Sequence, residues 1–367
     1  MKIILFRSNN IFDSRVSKYV NFYRRANLNY LVAGWDRAGE GLAREHYEFF
    51  RYPAGVAVGG LKAVSNHAHW MRFVYQCLKR HSDVTTVHAC DLNSAFPAAL
   101  YKKFLNPSLT LIFDACDWYS AQYANKRVLR KIFWWMEKFT CRQADELIIC
   151  EPERKAQITV PVKKEPLVMP NIPEIDEASV LITDSKYQFN NAWPTLAYFG
   201  GFTLDRFLVE LIESAKTAHV NLLIGGYGNA VVEEKLKQVE GCENVRYFGR
   251  MGMKDGLQMS NNADAVFAMY CKTNANHVYA APNKYYEAML LGKPIITTKG
   301  TILEEKVLKN GMGYVIDETM DELLALENSL TKEDMKQKGT RARMLWDTCF
   351  KNYIRKFFDE TYSGVIK

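Results

Sequence analysis

The order of apolar segments predicts an α/β protein made of two doubly wound domains. Short strand patterns, such as Lys2–Phe6 and Thr195–Phe199, alternate with amphipathic helical patterns through both halves of the chain. This alternation is typical of parallel sheets that are covered by helices on both faces. The length of 367 residues suits two ordinary domains. Four prolines between residues 161 and 173 indicate a linker, so we place the domains at residues 1–165 and 166–347.

Composition narrows the compartment and the partners. No apolar run approaches the roughly 18 residues of a bilayer span, and the N-terminus enters a strand pattern without a signal-peptide segment. The eight cysteines form no C-x-x-C pair, which favours reduced thiols in a cytoplasmic protein. Residues 1–170 carry 25 Lys and Arg against 15 Asp and Glu, and this basic half predicts an anionic partner. No nucleic-acid-binding module accompanies the charge, so an anionic membrane surface or a lipid pyrophosphate is preferred to nucleic acid.

The first domain opens with a strand, a turn over residues 8–12 that includes Asn10, and a helix that begins near Asp13. Asp13 and Arg15 admit two interpretations. They either face a ligand at the carboxyl end of the strand, where doubly wound domains bind ligands, or form a helix cap and a surface ion pair.

Two polar runs follow later strands of the same domain. His88, Asp91 and their neighbours follow the strand Val84–His88, and Asp117 follows the strand Leu109–Phe113. Both runs therefore lie at the ligand-binding edge of the predicted sheet. A single His at a strand end is more often structural than functional.

The segment from Lys126 to Thr140 is both basic and aromatic. Val128, Ile132, Trp135 and Phe139 would share one face of a helix there. Such a helix either lies on an anionic membrane or packs this face into the core and leaves its basic residues in solvent. The spacing alone leaves both interpretations open.

The second domain repeats the strand–turn–helix pattern. A strand ends at a glycine turn that includes Gly201, and Arg206 is predicted in the first turn of the helix that follows. A second glycine turn, which includes Gly226, suits a close approach to phosphate groups. A dinucleotide fingerprint would require a third glycine where the chain has Val231, so an NAD site is not predicted.

A short helix and a buried strand follow between residues 282 and 298. Pro282 and Asn283 are helix-start residues, and Gly292 can end the helix in the left-handed conformation. The amides and dipole of a helix N-terminus attract anions. Glu287, one turn inside, could bind the two hydroxyls of a ribose or could simply complement the helix dipole.

The string P-x-K-x-x-E-A-M-x-x-G-K-P-I-I, from Pro282 to Ile296, resembles the nucleotide-sugar signature of glycosyltransferase family 4. The resemblance implies the GT-B fold, with two Rossmann-like domains facing a central cleft and a last helix, about residues 348–367, that packs back on the first domain. It implies that Glu287 binds the ribose of the donor. The family usually has another Glu eight positions earlier, where this chain has Tyr279.

Further motifs resemble the family in the same order along the chain. They are D-S-R-V-x-K from Asp13, H-A-C-D-L-N-S from His88, D-A-C-D-W-Y from Asp114 and N-V-R-Y-F-G-R-M from Asn244. Cys90 and Cys116 stand where relatives have His. The resemblance implies three sets of site residues. The catalytic candidates are Asp91, Asp117 and His88, the acceptor-side candidates are Asn10, Asp13 and Arg15, and the donor-binding candidates are Glu287, Lys284, Asn283, Arg206, Gly201, Gly226 and Met251.

The function implied by the resemblance is a retaining, hexosyltransferase-like glycosyltransferase that needs no metal or other cofactor. A nucleotide-diphosphate sugar would be the co-substrate. The acceptor would be a glycan or a polyprenyl-pyrophosphate-linked glycan in surface polysaccharide synthesis, at the inner face of the cytoplasmic membrane. Two alternatives stay open: a non-catalytic nucleotide-sugar-binding subunit, which the missing Glu and the two His-to-Cys positions favour, and a nucleotide-sugar epimerase of the same fold.

Overall fold

The structure is a computed structural model that describes residues 2–9, 11–52, 60–123 and 126–366, without the side chains of residues 60–64 and 275–276. The chain forms two compact units. Unit 1 comprises Met1–Asn171 and Arg355–Lys367, and unit 2 comprises Ile172–Ile354. Unit 1 extends beyond residue 165, the predicted boundary, because Leu167–Val168 adds a last strand to its sheet.

Unit 1 contains a seven-stranded sheet in which all the neighbouring strands pair in parallel. Its strands are β1 (Lys2–Arg7), β2 (Asn29–Trp35), β3 (Tyr47–Phe50), β4 (Thr86–Cys90), β5 (Thr110–Ala115), β6 (Glu146–Ile149) and β7 (Leu167–Val168). Their spatial order is β3-β2-β1-β4-β5-β6-β7, so the direction of winding reverses between β1 and β4. The four central residues of β1 are fully buried, as expected for a strand covered on both faces.

Helices connect these strands. They are α1 (Ser14–Arg25), α2 (Gly60–Arg80), α3 (Leu92–Phe104), α4 (Tyr119–Gln122) and α5 (Arg127–Gln143). Asp13 caps α1, since its carboxylate accepts a hydrogen bond from the Val16 amide at 2.8 Å. The C-terminal segment of unit 1 packs on the same helix. The hydroxyls of Tyr23 and Tyr362 lie 2.7 Å apart, and the rings of Phe22 and Phe358 stack at 5.0 Å.

Unit 2 contains a six-stranded sheet with the same parallel pairing. Its strands are β8 (Thr195–Phe202), β9 (Asn221–Gly228), β10 (Val245–Tyr247), β11 (Ala265–Ala268), β12 (Ile295–Thr298) and β13 (Gly313–Ile316). The spatial order is β10-β9-β8-β11-β12-β13, and the winding reverses between β8 and β11. In both sheets, the reversal marks the crevice in which ligands of such folds bind.

The helices of unit 2 cover this sheet. They are α6 (Leu208–Ser214), α7 (Ala230–Gln238), α8 (Met253–Asn261), α9 (Asn283–Leu291), α10 (Ile302–Asn310), α11 (Met320–Ser329) and α12 (Lys332–Leu345). Gly292 ends α9 in the left-handed conformation at φ 63°, as predicted. None of the helices in the described residues combines the length and the apolar character that a bilayer span requires.

Two local predictions for unit 2 were wrong. The glycine runs at 200–201 and 225–228 are not turns, because β8 and β9 continue through them in register as far as the Phe202–Gly228 pair. Gly200 and Gly226 have φ of 151° and 146°, a conformation that glycine adopts readily. The helix after β8 also begins later than predicted. Leu204–Arg206 forms a 3₁₀ turn, and Phe207 has a left-handed φ of 56° before α6 starts.

Candidate functional site

A basic site lies at the carboxyl edge of the sheet of unit 2, where the winding reverses. Arg206 follows β8, and its guanidinium carbon lies 4.1 Å from the ring centre of Tyr270, which follows β11. The Nη1 atom of Arg206 is buried, and no hydrogen-bond partner for it occurs among the described residues. A buried, unpaired cationic nitrogen is costly in free energy, so this atom is poised to bind an anion.

A second cation lies beside the first. The Lys284 ammonium is 4.8 Å from the ring centre of Tyr198, and a Cβ atom built on Gly200 would lie 2.9 Å from it. Glycine at position 200 therefore makes room for this ammonium. Burial lowers the pKa of Lys284, and nearby Arg206 lowers it further, whereas Glu287 opposes the shift.

The N-terminus of α9 completes the basic site. Pro282 is the N-cap residue and provides no side-chain hydrogen bond, so the amides of the first turn are not capped by it. Asn283 is the first helical residue and is exposed. Two cations and a helix N-terminus thus lie at one edge of the sheet, an arrangement that favours a di-anionic group such as a diphosphate.

Glu287 lies one turn further along α9 and is buried, with 7% of its surface exposed. Its charge acts on Lys284, Tyr198 and Tyr270, so all four side chains lie in one electrostatic environment. Burial raises the pKa of Tyr270 to about 12, with Arg206 opposing the shift and Glu287 adding to it. A buried carboxylate beside two cations suits a ligand that offers hydroxyl groups next to phosphate groups.

The other donor-side candidates have packing roles. The carbonyl of Gly201 accepts a hydrogen bond from the Tyr198 hydroxyl at 2.7 Å. A Cβ atom on Gly226 would collide with the Gly200 carbonyl, so this glycine permits β8 and β9 to approach closely. The Met251 side chain covers Gly225 in the same way. Gly226 therefore has a role in strand packing, and its approach to a phosphate group stays a prediction.

Unit 1 places Arg15 and His88 in its core, unlike the ligand-facing positions predicted for them. Both Nε and Nη2 of Arg15 bond to the Asp114 carboxylate, at 2.8 and 2.6 Å, and Nη1 bonds to the Met169 carbonyl. His88 is fully buried between Asp114 and the Tyr362 hydroxyl, at 3.2 and 2.8 Å. A catalytic or acceptor-binding role for Arg15 or His88 is not supported, because their polar atoms are already bonded within the core.

Asp114 is the centre of this buried network. Burial alone would raise the pKa of Asp114, but the Arg15 guanidinium and His88 hold it well below its usual range. His88, Cys90 and Asp114 are also close enough together to suggest three metal ligands. The Asp114 oxygens, however, already accept hydrogen bonds from Arg15 and the Tyr19 hydroxyl, so the cluster is better explained as a hydrogen-bonded core.

Asp91 occupies the place where the winding of the first sheet reverses. Its Oδ2 accepts a hydrogen bond of 2.6 Å from Arg7, the last residue of β1, which also bonds to Asp13 at 2.8 Å. Asp91 has a left-handed φ of 64°, which is uncommon for a residue other than glycine. Its Oδ1 is buried and finds no hydrogen-bond partner in the described part of the chain. Burial raises the pKa of Asp91 to about 6, and Arg7 opposes that shift.

The remaining candidates of unit 1 differ in exposure. Asp117 is half-exposed and lies 3.3 Å from Arg154. Asp13 is both a helix cap and the ion-pair partner of Arg7, which corresponds to the structural interpretation of its motif. Asn10 lies outside the described residues, so its predicted acceptor-side role stays a prediction.

Several residues at these two edges were not singled out from the sequence. Arg7 ends β1, and Tyr270 lies just after β11, so both are next to the reversal of winding. That position could have identified them from the sequence as candidates for a site. Asp205, Asn274 and His277 carry no such signal. Their association depends on contacts between loops that are some 70 residues apart in sequence, as in the 3.1 Å bond from Asn274 to Asp205.

Two Rossmann-like domains, with parallel sheets of seven and six strands, give the chain the GT-B fold. Residues 194–329, which include the basic site of unit 2, match the family model described as Glycosyl transferases group 1. No curated protein matches the sequence.

Solved structures agree on this fold. The chain is similar to sucrose-phosphate synthase from Thermosynechococcus elongatus, with a TM-score of 0.70 and 14% identity, over 100% of this chain and 96% of that one. The chain is also similar to HepE from Anabaena, solved with UDP-glucose, with a TM-score of 0.71 and 14% identity, over 99% of this chain and 100% of that one. The similarity to WaaG, a glycosyltransferase involved in lipopolysaccharide biosynthesis, has a TM-score of 0.69 and 17% identity, over 98% of this chain and 99% of that one.

Proposed function

We propose that the protein is a retaining glycosyltransferase of the family 4 type, which moves a hexosyl group from a nucleotide-diphosphate sugar to a glycan or lipid-linked glycan. The observation that carries this proposal is the basic site of unit 2, in which Arg206, Lys284 and the N-terminus of α9 share one electrostatic environment with the buried Glu287. This site lies in the segment that matches the group 1 glycosyl transferases. HepE, which has the same fold, was solved with UDP-glucose.

Each group has a distinct task in this reaction. Arg206 and Lys284 bind the diphosphate and stabilise the charge that develops as its bond to the anomeric carbon breaks. The same two cations can supply this stabilisation without a metal ion. Glu287 accepts hydrogen bonds from the ribose hydroxyls. The acceptor hydroxyl forms the new bond on the face of the sugar from which the diphosphate departs, so the anomeric configuration is retained. The proton of this hydroxyl passes to the departing diphosphate.

The acceptor side is assigned to the edge of unit 1 around Asp91 and Asp117. The Oδ1 of Asp91, which has no hydrogen-bond partner among the described residues, can accept a hydrogen bond from an acceptor hydroxyl. A pKa of about 6 keeps most of this carboxyl group ionised at neutral pH. Asp91 is thereby suited to orienting the hydroxyl group that attacks.

Binding of nucleoside diphosphates tests the donor assignment. UDP, GDP and ADP are titrated in parallel against the wild type, Glu287→Ala and the control Glu305→Ala, whose carboxylate is exposed on α10. Loss of hydrogen bonds to a charged group should weaken binding of the preferred nucleotide by about 1–3 kcal/mol in Glu287→Ala only. Unchanged affinity in the folded Glu287→Ala variant would remove the donor role of this residue.

Turnover distinguishes the proposed enzyme from its alternatives. The protein should release nucleoside diphosphate slowly from the donor sugar in the absence of acceptor, and a chelator should leave this rate unchanged. A non-catalytic subunit would bind the nucleotide and release nothing. An epimerase would convert the sugar without an acceptor, which product analysis detects. Restoration of a chelator-sensitive rate by a divalent ion would contradict metal independence.

Helix α5 supports an acceptor located at an anionic membrane surface. Val128, Ile132 and Trp135 are exposed by 71%, 49% and 55%, so most of this apolar face does not pack into the core. Phe139 is half-buried against Phe96, at 5.8 Å between ring centres. Arg127, Arg130 and Lys131 are exposed on the same helix. Exposed apolar rings among basic residues suit the boundary between lipid headgroups and acyl chains.

Co-sedimentation with vesicles tests this membrane assignment. The protein should bind phosphatidylglycerol vesicles at low salt, bind less at high salt, and ignore phosphatidylcholine vesicles, because each basic residue near an anionic surface contributes about 1 kcal/mol that salt screens. Trp135→Ser should weaken binding, whereas Leu308→Ser, at an equally exposed position in unit 2, should not. Binding that ignores lipid charge, or no binding at low salt, would favour a soluble acceptor.

A further inference from the structure

A group of polar side chains links the two loops that carry Arg206 and Tyr270. Asp205 immediately precedes Arg206, and its carbonyl oxygen accepts a hydrogen bond of 3.0 Å from the Cys271 amide. Its carboxylate accepts a further bond of 3.1 Å from the Asn274 side chain. The turn after β8 is thereby attached at two points to the loop after β11.

His277 closes this connection from the other side. Its Nδ1 lies 2.9 Å from the Cys271 carbonyl, which can only accept, so Nδ1 carries the proton. In the neutral ring Nε2 then accepts, and the Asn274 amide is 3.3 Å away from it. Burial lowers the pKa of His277, and Arg206 lowers it further, so the neutral form prevails at neutral pH. The two N–H bonds of the Asn274 amide can thus serve Asp205 and His277 together.

The same ring supports the aromatic partner of Arg206. The rings of His277 and Tyr270 meet edge to face at 5.4 Å, and the Arg206 guanidinium lies over the Tyr270 ring. His277 is buried, with 7% of its surface exposed. Arg206 is therefore held by an aromatic ring that His277 braces and by a backbone turn that Asp205 anchors.

Within the described part of the chain, this arrangement fixes the position of the Arg206 guanidinium without a carboxylate that is bonded to its Nη1 donor. A carboxylate bonded to the guanidinium would fix its position but would also occupy its donors. Here the Asp205 carboxylate bonds to Asn274, and Nη1 of Arg206 stays without a hydrogen-bond partner among the described residues. The Tyr270 ring and the hydrogen bonds of Asp205 offset the free-energy cost of holding this guanidinium in place. Such preorganisation suits a group that binds a ligand without rearranging.

We propose that Asp205, Asn274 and His277 form a clasp of positioning residues that holds Arg206 for the diphosphate of the donor. The proposal rests on the function proposed above. It adds that the affinity for diphosphate depends on loop contacts made by residues that do not touch the ligand. The clasp acts through Arg206, so its effect should vanish when Arg206 is absent.

A double-mutant cycle tests the clasp. Dissociation constants for UDP, GDP and ADP are measured for the wild type, Arg206→Ala, His277→Ala, and the double variant, with thermal unfolding as the check of folding. His277→Ala should weaken binding of the preferred nucleotide about five- to tenfold in the wild type and hardly at all in the Arg206→Ala background, because coupled residues are not additive. His219→Ala is the control, since that His is exposed in unit 2 and stacks on Trp193, at 4.9 Å.

The outcomes separate the clasp from the proposed function. If Arg206→Ala does not weaken nucleotide binding, the donor-site assignment of Arg206 fails and the clasp fails with it. If Arg206→Ala weakens binding but His277→Ala adds the same loss in both backgrounds, only the clasp is overturned. Should His277→Ala fail to fold, Asn274→Ala replaces it in the cycle, because Asn274 joins Asp205 to His277.

Discussion

The two units have the same parallel strand pairing where the winding of their sheets reverses. The arginine at that place, however, has different partners in the two units. In unit 1, Arg7 at the end of β1 is neutralised by Asp91 and Asp13, at 2.6 and 2.8 Å. In unit 2, Arg206 after β8 faces the ring of Tyr270, its Nη1 has no hydrogen-bond partner in the described part of the chain, and Lys284 is close by. At one edge the guanidinium is bonded to carboxylates, and at the other a guanidinium nitrogen has no hydrogen-bond partner among the described residues.

Net charge by itself does not point to the proposed diphosphate site. Residues 1–170 carry the excess of basic residues, and residues 171–367 have 23 Lys and Arg against 26 Asp and Glu. Nevertheless, Arg206 and Lys284, the two cations proposed to bind the diphosphate, lie in the acidic half. In unit 1, some of the basic residues are exposed on surfaces such as α5, and others are bonded to buried carboxylates, as in the pair of Arg15 and Asp114. The pairing of each charge decides what it can bind.

The largest expected effect comes from breaking the balanced network of unit 1. Arg15→Met would leave the buried Asp114 carboxylate without its main partner, and the free energy of unfolding should fall by about 3–5 kcal/mol. Arg25→Met is the control, because its pair with Asp359 is 52% and 45% exposed and should be worth less than about 1 kcal/mol. Urea unfolding followed by tryptophan fluorescence gives both values. Equal losses in the two variants would show that burial does not set the strength of these pairs.

A second effect concerns the buried carboxyl of Glu137 in α5. Burial raises its pKa from 4.5 to about 7, against the hydrogen bond from the Ser120 amide at 2.9 Å. As the pH rises, the unfolded chain releases the Glu137 proton before the folded protein does, and this difference favours unfolding. The contribution of the protonated carboxyl to the free energy of unfolding is therefore fully present below pH 4.5 and is lost as the pH rises through 7. The loss corresponds to about 3 kcal/mol. In Glu137→Gln that dependence should be absent, and unfolding measured between pH 4 and 8 checks it; an unchanged pH profile would contradict it.

The smallest effect sharpens the description of unit 2. Because the pKa of Lys284 is lowered by burial, the ammonium should lose its proton at a lower pH than an ordinary lysine. Nucleoside diphosphate affinity should therefore fall as the pH rises through that pKa, by at most about tenfold per pH unit for one proton. Lys284→Arg should bind with little pH dependence in the same range, since arginine stays charged. A wild-type affinity that is constant up to pH 10 would contradict this prediction.

Much of the fold could be predicted from the sequence, since periodicity and breakers act locally. Gly292 ends α9 because a glycine tolerates the left-handed conformation wherever it occurs. Asp13 caps α1 because its side chain needs only the next turn of the same helix. The glycine runs of β8 and β9 were mispredicted as turns, since local propensity does not show that two strands approach so closely that side chains are excluded.

The sequence by itself determined the order of elements, the glycine that ends α9 and the motif that contains Lys284 and Glu287, because these depend on residues a few positions apart. Only the tertiary structure decided which charges are paired. Arg15 and His88 resembled site residues in their motifs, yet they bond to Asp114 in the core. Arg206 instead faces an aromatic ring, because the loop after β11 presents Tyr270 to it. Pairing depends on which loops meet across a sheet, and a sequence specifies that meeting only when the whole domain has folded.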